Sequence, residues 1–213
     1  MNFVFLCEKY HFEVNLIVEQ GNTSTKVAVY AEGKLVASFV YKGFDKKKIA
    51  PLFDVYPLDK GIYSTVSDVD EELIAYLNER LSCFIFFDNE VKLPITIKYK
   101  TPQTLGKDRI AAVVGAYYVQ PNRNILVIDA GTCITYEILE ASGAYIGGNI
   151  SPGMTTRFKA LNDYTKKLPL LDEREEVPLW GTCTEDAIRA GVVNGIVFEM
   201  DGYIDCLLYT SDA

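Results

Sequence analysis

Histidine is nearly missing: one residue in 213, His11. That excludes a His-rich zinc site, a Ser-His-Asp triad and a Cys-His dyad in the body of the chain. General acid and base work falls to Asp, Glu, Lys, Tyr or Cys, with carboxylates the natural candidates. Cysteines number five, an odd count, and form no C-x-x-C pair. They read as free thiols of a reducing compartment. Long apolar runs are also lacking. The longest, from Ile110 to Val119, is about ten residues, against the roughly 20 a membrane span needs. Glu8 and Lys9 interrupt the apolar start and no basic segment precedes it, so no signal peptide is read and a cytoplasmic location is expected. Basic residues are outnumbered, 21 against 29 acidic, for a net charge of −8. This argues against a nucleic-acid platform.

What is present describes an ordinary globular chain, 49% hydrophobic and 23% charged. Val14–Val18, Thr25–Tyr30 and Leu35–Tyr41 have strand chemistry, with Ala31–Lys34 as a turn. Gly61–Val66 predicts a strand, and Ser67 or Asp68 is expected to cap a helix through Leu81 with Leu73, Ile74, Leu77 and Leu81 inward. Cys83–Phe87 and Ile95–Tyr99 predict further strands. Lys107–Val119 predicts a helix with Ile110, Val113, Val114, Tyr117 and Tyr118 at helical spacing.

From Asn124 the pattern begins again. At an offset of 110 residues, Glu19 faces Asp129, Gly21 faces Gly131, Thr25 faces Thr135, Ala31 faces Ala141 and Gly33 faces Gly143. Five matches in ungapped register point to duplication, with the break near Pro121–Arg123. Two like domains facing across a cleft are expected.

The duplicated acidic Gly turns carry the first chemistry. Glycine after a strand lets backbone N–H groups approach phosphate oxygens, and Asn22, Thr23, Thr25 and Lys26 add donors and charge. Glu19 and Asp129 offer hard oxygens to Mg²⁺ or its waters. Either turn alone reads more readily as a plain hairpin, and the duplication reverses that balance. Next, Gly106-Lys107-Asp108-Arg109 places two bases where a helix dipole disfavours them, which suits an anionic partner. Asp108 between them is placed to accept a hydroxyl proton. The alternative is an ordinary helix start with solvated Lys107 and Arg109. Gly147–Gly153 reads as a tight turn or a close ligand approach, and Thr184 as an N-cap. Cys133 and Cys183, with no basic neighbour, read as packing residues.

Taken in order, Glu19-Gln20-Gly21-Asn22-Thr23 with Lys26, Gly106–Arg109, Asp129–Thr132 and Gly147–Gly153 resemble the motifs of type III pantothenate kinases over residues 14–206. The resemblance implies an α/β, actin-like (ribonuclease-H-like) duplicated two-lobed fold of the acetate and sugar kinase, Hsp70 and actin superfamily. It implies ATP-dependent phosphorylation of pantothenate to 4'-phosphopantothenate, the first step of coenzyme A synthesis, in a homodimer using Mg²⁺ and K⁺ or NH₄⁺. By motif position Asp108 resembles the catalytic base. Tyr99, Gly106, Lys107, Asp108, Arg109 and Thr184 resemble pantothenate-binding positions. Glu19, Gln20, Gly21, Asn22, Thr23, Ser24, Thr25, Lys26 and Thr132 resemble the ATP-binding ones, and Asp129 and Glu19 the cation ligands. Phosphoryl transfer needs positioning and charge neutralisation, which this histidine-poor set supplies.

Two departures accompany the resemblance. Glu19 stands where the family usually has Asp. Residues 1–13 and 207–213 are expected to be non-native ends of a truncated gene model, leaving a first lobe over 14–120 and a second, incomplete at its C-terminus, over 121–206. The alternatives are a non-catalytic accessory or regulatory protein of the same fold and a superfamily kinase for another small hydroxyl acceptor.

Overall fold

A computed structural model describes residues 14–21, 24–172 and 176–211. These divide into two compact units. The first comprises the described residues to Ile125 together with Leu139–Gly147; the second comprises Leu126–Ile138 and the residues from Gly148.

In the first unit, β1 (Val14–Gln20), β2 (Thr25–Ala31) and β3 (Lys34–Tyr41) form an antiparallel meander. Its second turn needs left-handed backbone at both Glu32 (φ 50°) and Gly33 (φ 71°), the geometry that matches strand twist in tight hairpins. Strands β4 (Leu58–Thr65) and β5 (Cys83–Phe86) add in parallel, giving the order β3-β2-β1-β4-β5. Leu16, Ile17 and Val18 are all buried, as a central strand covered on both faces requires. Gly61 is glycine because a Cβ there would stand 2.7 Å from Leu81 Cδ1 and 3.2 Å from the Leu16 carbonyl oxygen.

Two one-turn helices, α1 (Lys46–Ile49) and α2 (Leu52–Val55), precede β4. Helix α3 (Glu71–Arg80) sets Leu73 and Leu77 into a core with Leu16, Val18, Val27, Val29 and Tyr63. Its cap is Asp70, whose carboxylate accepts from Leu73 N–H at 3.0 Å, not Ser67 or Asp68. Ser67 is engaged elsewhere: its N–H bonds Thr65 Oγ1 at 3.0 Å and its hydroxyl reaches the Gly21 carbonyl at 3.4 Å. Helix α4 (Lys107–Val119) has the predicted bounds and packs on β4. It is buried continuously from Arg109 to Gly115, whereas Tyr118, expected inside, is half exposed.

The second sheet orders β6 (Thr96–Ile97), β9 (Ala144–Pro152), β8 (Cys133–Leu139) and β7 (Ile125–Ala130). β6 is only two residues of the expected five-residue strand and runs parallel to β9. The order β9-β8-β7 repeats β3-β2-β1, and Gly143 (φ 80°) repeats the left-handed Gly33. The first hairpin of the repeat closes one residue tighter: Gly131 N–H meets the Cys133 carbonyl where Gly21 N–H meets that of Ser24. In the second unit α5 (Met154–Asp163) and α6 (Thr184–Ser211) pack together, and Phe158, Ile188, Val192 and Ile196 cover Ile134 and Tyr136 of β8. Sheets with the same three-stranded start make this the α/β, actin-like duplicated fold. No helix among the described residues is long and apolar enough to cross a membrane.

Candidate active site

The turn after β1 is braced from two sides. Glu19 and Lys26 are register partners across the hairpin and pair at 3.6 Å. Gln20 is tied by its side chain to the Tyr63 hydroxyl and by its carbonyl to Val66 N–H at 3.0 Å. Burial pushes the Tyr63 phenol above its ordinary range. Gly21 closes the turn onto the Ser24 carbonyl at 3.0 Å. Thr25, expected to donate to phosphate, is buried on β2 between its partners Gln20 and Tyr41. The expected donors Asn22 and Thr23 lie outside the described residues.

A second cluster in the same unit forms at the start of α4. A 3-10 turn (Pro102–Thr104) buries Leu105 and delivers Gly106 as the N-cap. Asp108 is exposed, and one carboxylate oxygen folds back over Gly106 to accept Arg109 N–H at 2.9 Å. A Cβ on Gly106 would collide with that oxygen. Arg109 is not solvated: it is 6% exposed, and its guanidinium lies 5.5 Å over the Tyr99 ring. Tyr99 stacks on Tyr145 at 6.4 Å, and beside its ring Gly147 adopts φ 138°, a backbone conformation that favours glycine.

Thus Tyr99, Gly106, Asp108 and Arg109 come together. Lys107 turns elsewhere: its ammonium bonds the Asn89 side chain and lies 5.9 Å over Phe87, beside a cleft of about 170 Å³. Burial lowers its pKa, with Asp88 pulling the other way.

In the second unit, Asp129 is the next-to-last residue of β7 and is exposed, and Thr132 is exposed in the turn that follows. The Thr132 carbonyl accepts two hydrogen bonds, from Gly153 N–H at 3.0 Å and Thr156 Oγ1 at 2.7 Å. Gly153 must be glycine because a Cβ would run into the Gly131 carbonyl and stand 2.8 Å from that of Thr132. Gly148 is likewise pressed onto the Tyr136 carbonyl. Thr184 is the first residue of α6, not its cap; the Cys183 carbonyl receives Ala187 N–H at 2.9 Å. Thr184 lines an apolar groove of about 830 Å³ between α5 and α6. Cys133 and Cys183, expected to pack, are exposed, as are Cys83 and Cys206, and none of the four forms a disulfide among the described residues.

The sequence reading missed a polar cluster behind this turn. Arg157 donates from Nε to the Pro152 carbonyl (2.7 Å) and from Nη2 to Ser151 Oγ (2.8 Å), and pairs with Glu199 of α6. Burial pushes the Glu199 carboxyl up, but hydrogen bonds from Arg157 and Ser151 outweigh it and hold the group below its usual range. The Tyr136 ring packs 4.2 Å from that of Tyr203, whose hydroxyl accepts from Asn149 at 3.1 Å.

Among the described residues no three His, Cys, Asp or Glu side chains gather to hold a metal. Glu19 and Asp129 are single carboxylates at strand ends. Each by itself is the kind of single oxygen donor that suits a hard cation taking the rest of its shell from water and substrate phosphates.

A family model for type III pantothenate kinase matches residues 15–206. A type III pantothenate kinase of Phocaeicola vulgatus is 47% identical over 191 residues, 90% of this chain and 79% of that protein. Those of Bacteroides fragilis and Porphyromonas gingivalis are each 43% identical, over 91% of this chain and 80% of theirs. A crystal structure of a conserved Campylobacter jejuni protein, described as a Baf family transcriptional activator, shares the fold. Its TM-score is 0.51 at 24% identity, over 88% of this chain and 78% of that one.

Proposed function

Because the chain belongs to the type III pantothenate kinases, we propose that Asp108 is the base that activates the acceptor in its reaction. The enzyme transfers a phosphoryl group from ATP to pantothenate, the first step of coenzyme A synthesis. In the proposed step Asp108 takes the proton of the acceptor hydroxyl as that oxygen bonds the γ-phosphorus. The bond from the γ-phosphorus to the bridging oxygen breaks, and ADP leaves with the electron pair. The observation that carries this is the exposed Asp108 carboxylate beside a buried Arg109 at a helix start.

Around that base, Tyr99, Gly106 and Arg109 are assigned to pantothenate, the guanidinium matching its negative charge. Lys107, whose ammonium is held by Asn89, and Thr184, the first residue of α6 in the second unit, are assigned to pantothenate by motif position alone. The Glu19–Lys26 turn and Thr132 are assigned to the ATP phosphates. Glu19 would serve Mg²⁺, which neutralises phosphate charge when bound, and Asp129 would serve Mg²⁺ and a monovalent cation, K⁺ or NH₄⁺. Glu19 reaches one methylene further than the usual Asp, which a water-mediated metal contact accommodates.

A homodimer is the proposed working form. Supporting it, α6 exposes Val197 and Ile204, two turns apart, with Phe198 beside them. Light scattering on the purified protein tests this, and a monomer at assay concentration would refute it.

The test of the reaction is ADP release on adding pantothenate, with Mg²⁺ and K⁺ or NH₄⁺ present or withheld. Phosphopantothenate should form only with Mg²⁺ and should rise with the monovalent cation. A D108N protein as fast as the parent would remove Asp108 from the base role.

A further inference from the structure

The hydroxyl of Thr156 makes a bond that its place in a helix does not account for. A threonine in the first turns of a helix usually turns its hydroxyl back onto the carbonyl three or four residues earlier. For Thr156 those are Gly153 and Pro152, and each already accepts one hydrogen bond from Arg157. Its backbone N–H bonds the Gly153 carbonyl at 2.9 Å, and its Nε bonds the Pro152 carbonyl at 2.7 Å. The Thr156 hydroxyl instead reaches 24 residues back in sequence to the Thr132 carbonyl at 2.7 Å.

That carbonyl is already bonded by Gly153 N–H at 3.0 Å, so the second donor is not needed to satisfy a backbone group. Two donors fix the plane of the Thr132–Cys133 peptide more tightly than one. They anchor its oxygen on α5, while the Thr132 side chain stays exposed. The support is itself fastened, because Arg157 ties the Ser151–Pro152 end of β9 to Glu199 of α6. All of these contacts lie within the second unit.

We propose that Thr156 is a positioning residue for the Asp129–Thr132 turn, holding it in the conformation that binds the nucleotide phosphates. This rests on the assignment of Thr132 to ATP made above. Thr156 acts through Thr132.

Three variants of the full chain test it: T156V, which replaces the hydroxyl by a methyl; T156S, which restores the hydroxyl; and T156A, should valine impair folding. The probe is a fluorescent ADP analogue, titrated directly, alongside KM for ATP and for pantothenate. T156V should weaken nucleotide binding and raise KM for ATP about fivefold, the equivalent of one ordinary hydrogen bond. KM for pantothenate should stay within about twofold, and T156S should return to the parent's nucleotide affinity.

Nucleotide affinity unchanged in T156V, both KM values rising together, or T156S as weak as T156V would each overturn the proposal. So would a parent protein that binds no nucleotide. A parent that binds nucleotide without phosphorylating pantothenate would sink the functional reading alone, and the binding comparison would still decide the role of Thr156.

Discussion

The guanidinium of Arg109 rests 5.5 Å over the ring of Tyr99, and that ring is backed by Tyr145 in a near-parallel stack with 11° between the planes. A cation that is 6% exposed and braced on an aromatic face has little freedom to wander. The prediction is a split between two substitutions. Y99F keeps the aromatic face and should keep KM for pantothenate within about twofold, while Y99L loses the face and should raise it roughly three- to tenfold. KM for ATP should stay level in both. Steady-state kinetics with each substrate varied in turn checks it, and a Y99L protein with parental KM would deny Arg109 its support.

Removing the base should cost rate and little else. Asp108 is exposed, and the hydrogen bond it accepts from Arg109 N–H can be kept by an asparagine oxygen. D108N should therefore melt within a degree or two of the parent. Its kcat should fall by about 10²- to 10⁴-fold, the usual range for losing a positioned general base. Melting and single-turnover phosphorylation measured on the same preparation separate the two effects.

The parts of this molecule legible in the sequence are those fixed by neighbours in the chain. Helix α4 has the bounds that its spacing predicts, and the duplicated Gly turns mark hairpins that the sheet order repeats. Gly106–Arg109 and Tyr99 come together because a short turn and two adjacent elements place them. Legibility ends where a distant contact decides. Ser67 looks like a helix cap, but its hydroxyl is drawn to Gly21 and the role falls to Asp70. Lys107 looks like a companion of Arg109 and is held by Asn89 instead. The Arg157–Glu199 pair joins residues 42 apart, and no local spacing announces it.

Two glycines in the second unit should respond to alanine in opposite ways. Gly153 is buried, and a Cβ there would strike the Gly131 carbonyl, which cannot give way without moving the Thr132 turn. G153A should destabilise the unit by about 3 kcal/mol or more and weaken nucleotide binding with it. Gly202 lies inside α6, and a Cβ added there would meet no described atom within 4 Å beyond its own helix turn. G202A should stabilise by roughly 0.5–1 kcal/mol through helix propensity alone. Chemical denaturation of the two variants gives both signs, and a neutral G153A would mean the turn is not held as tightly as the contact requires.

Alkaline pH should find Tyr136. Its hydroxyl is buried and makes no hydrogen bond of normal geometry among the described residues, and the Glu199 carboxylate lies close enough to act on it. Burial first, and then Glu199, push the phenol from 10.0 up to about 12. A group whose pKa is raised on folding contributes stability fully below its unfolded pKa. That contribution is lost as pH climbs through the folded value. The window is therefore pH 10 to about 12, and stability should fall as pH rises across it. Y136F removes both the titration and the orphan hydroxyl. At pH 8 it should be as stable as the parent or slightly more so, since a buried polar group without a partner is relieved. Above pH 10 its advantage should widen steadily. Urea midpoints measured at pH 8, 10 and 11 decide the matter: parallel curves for parent and Y136F would show that Tyr136 ionises as it does in water.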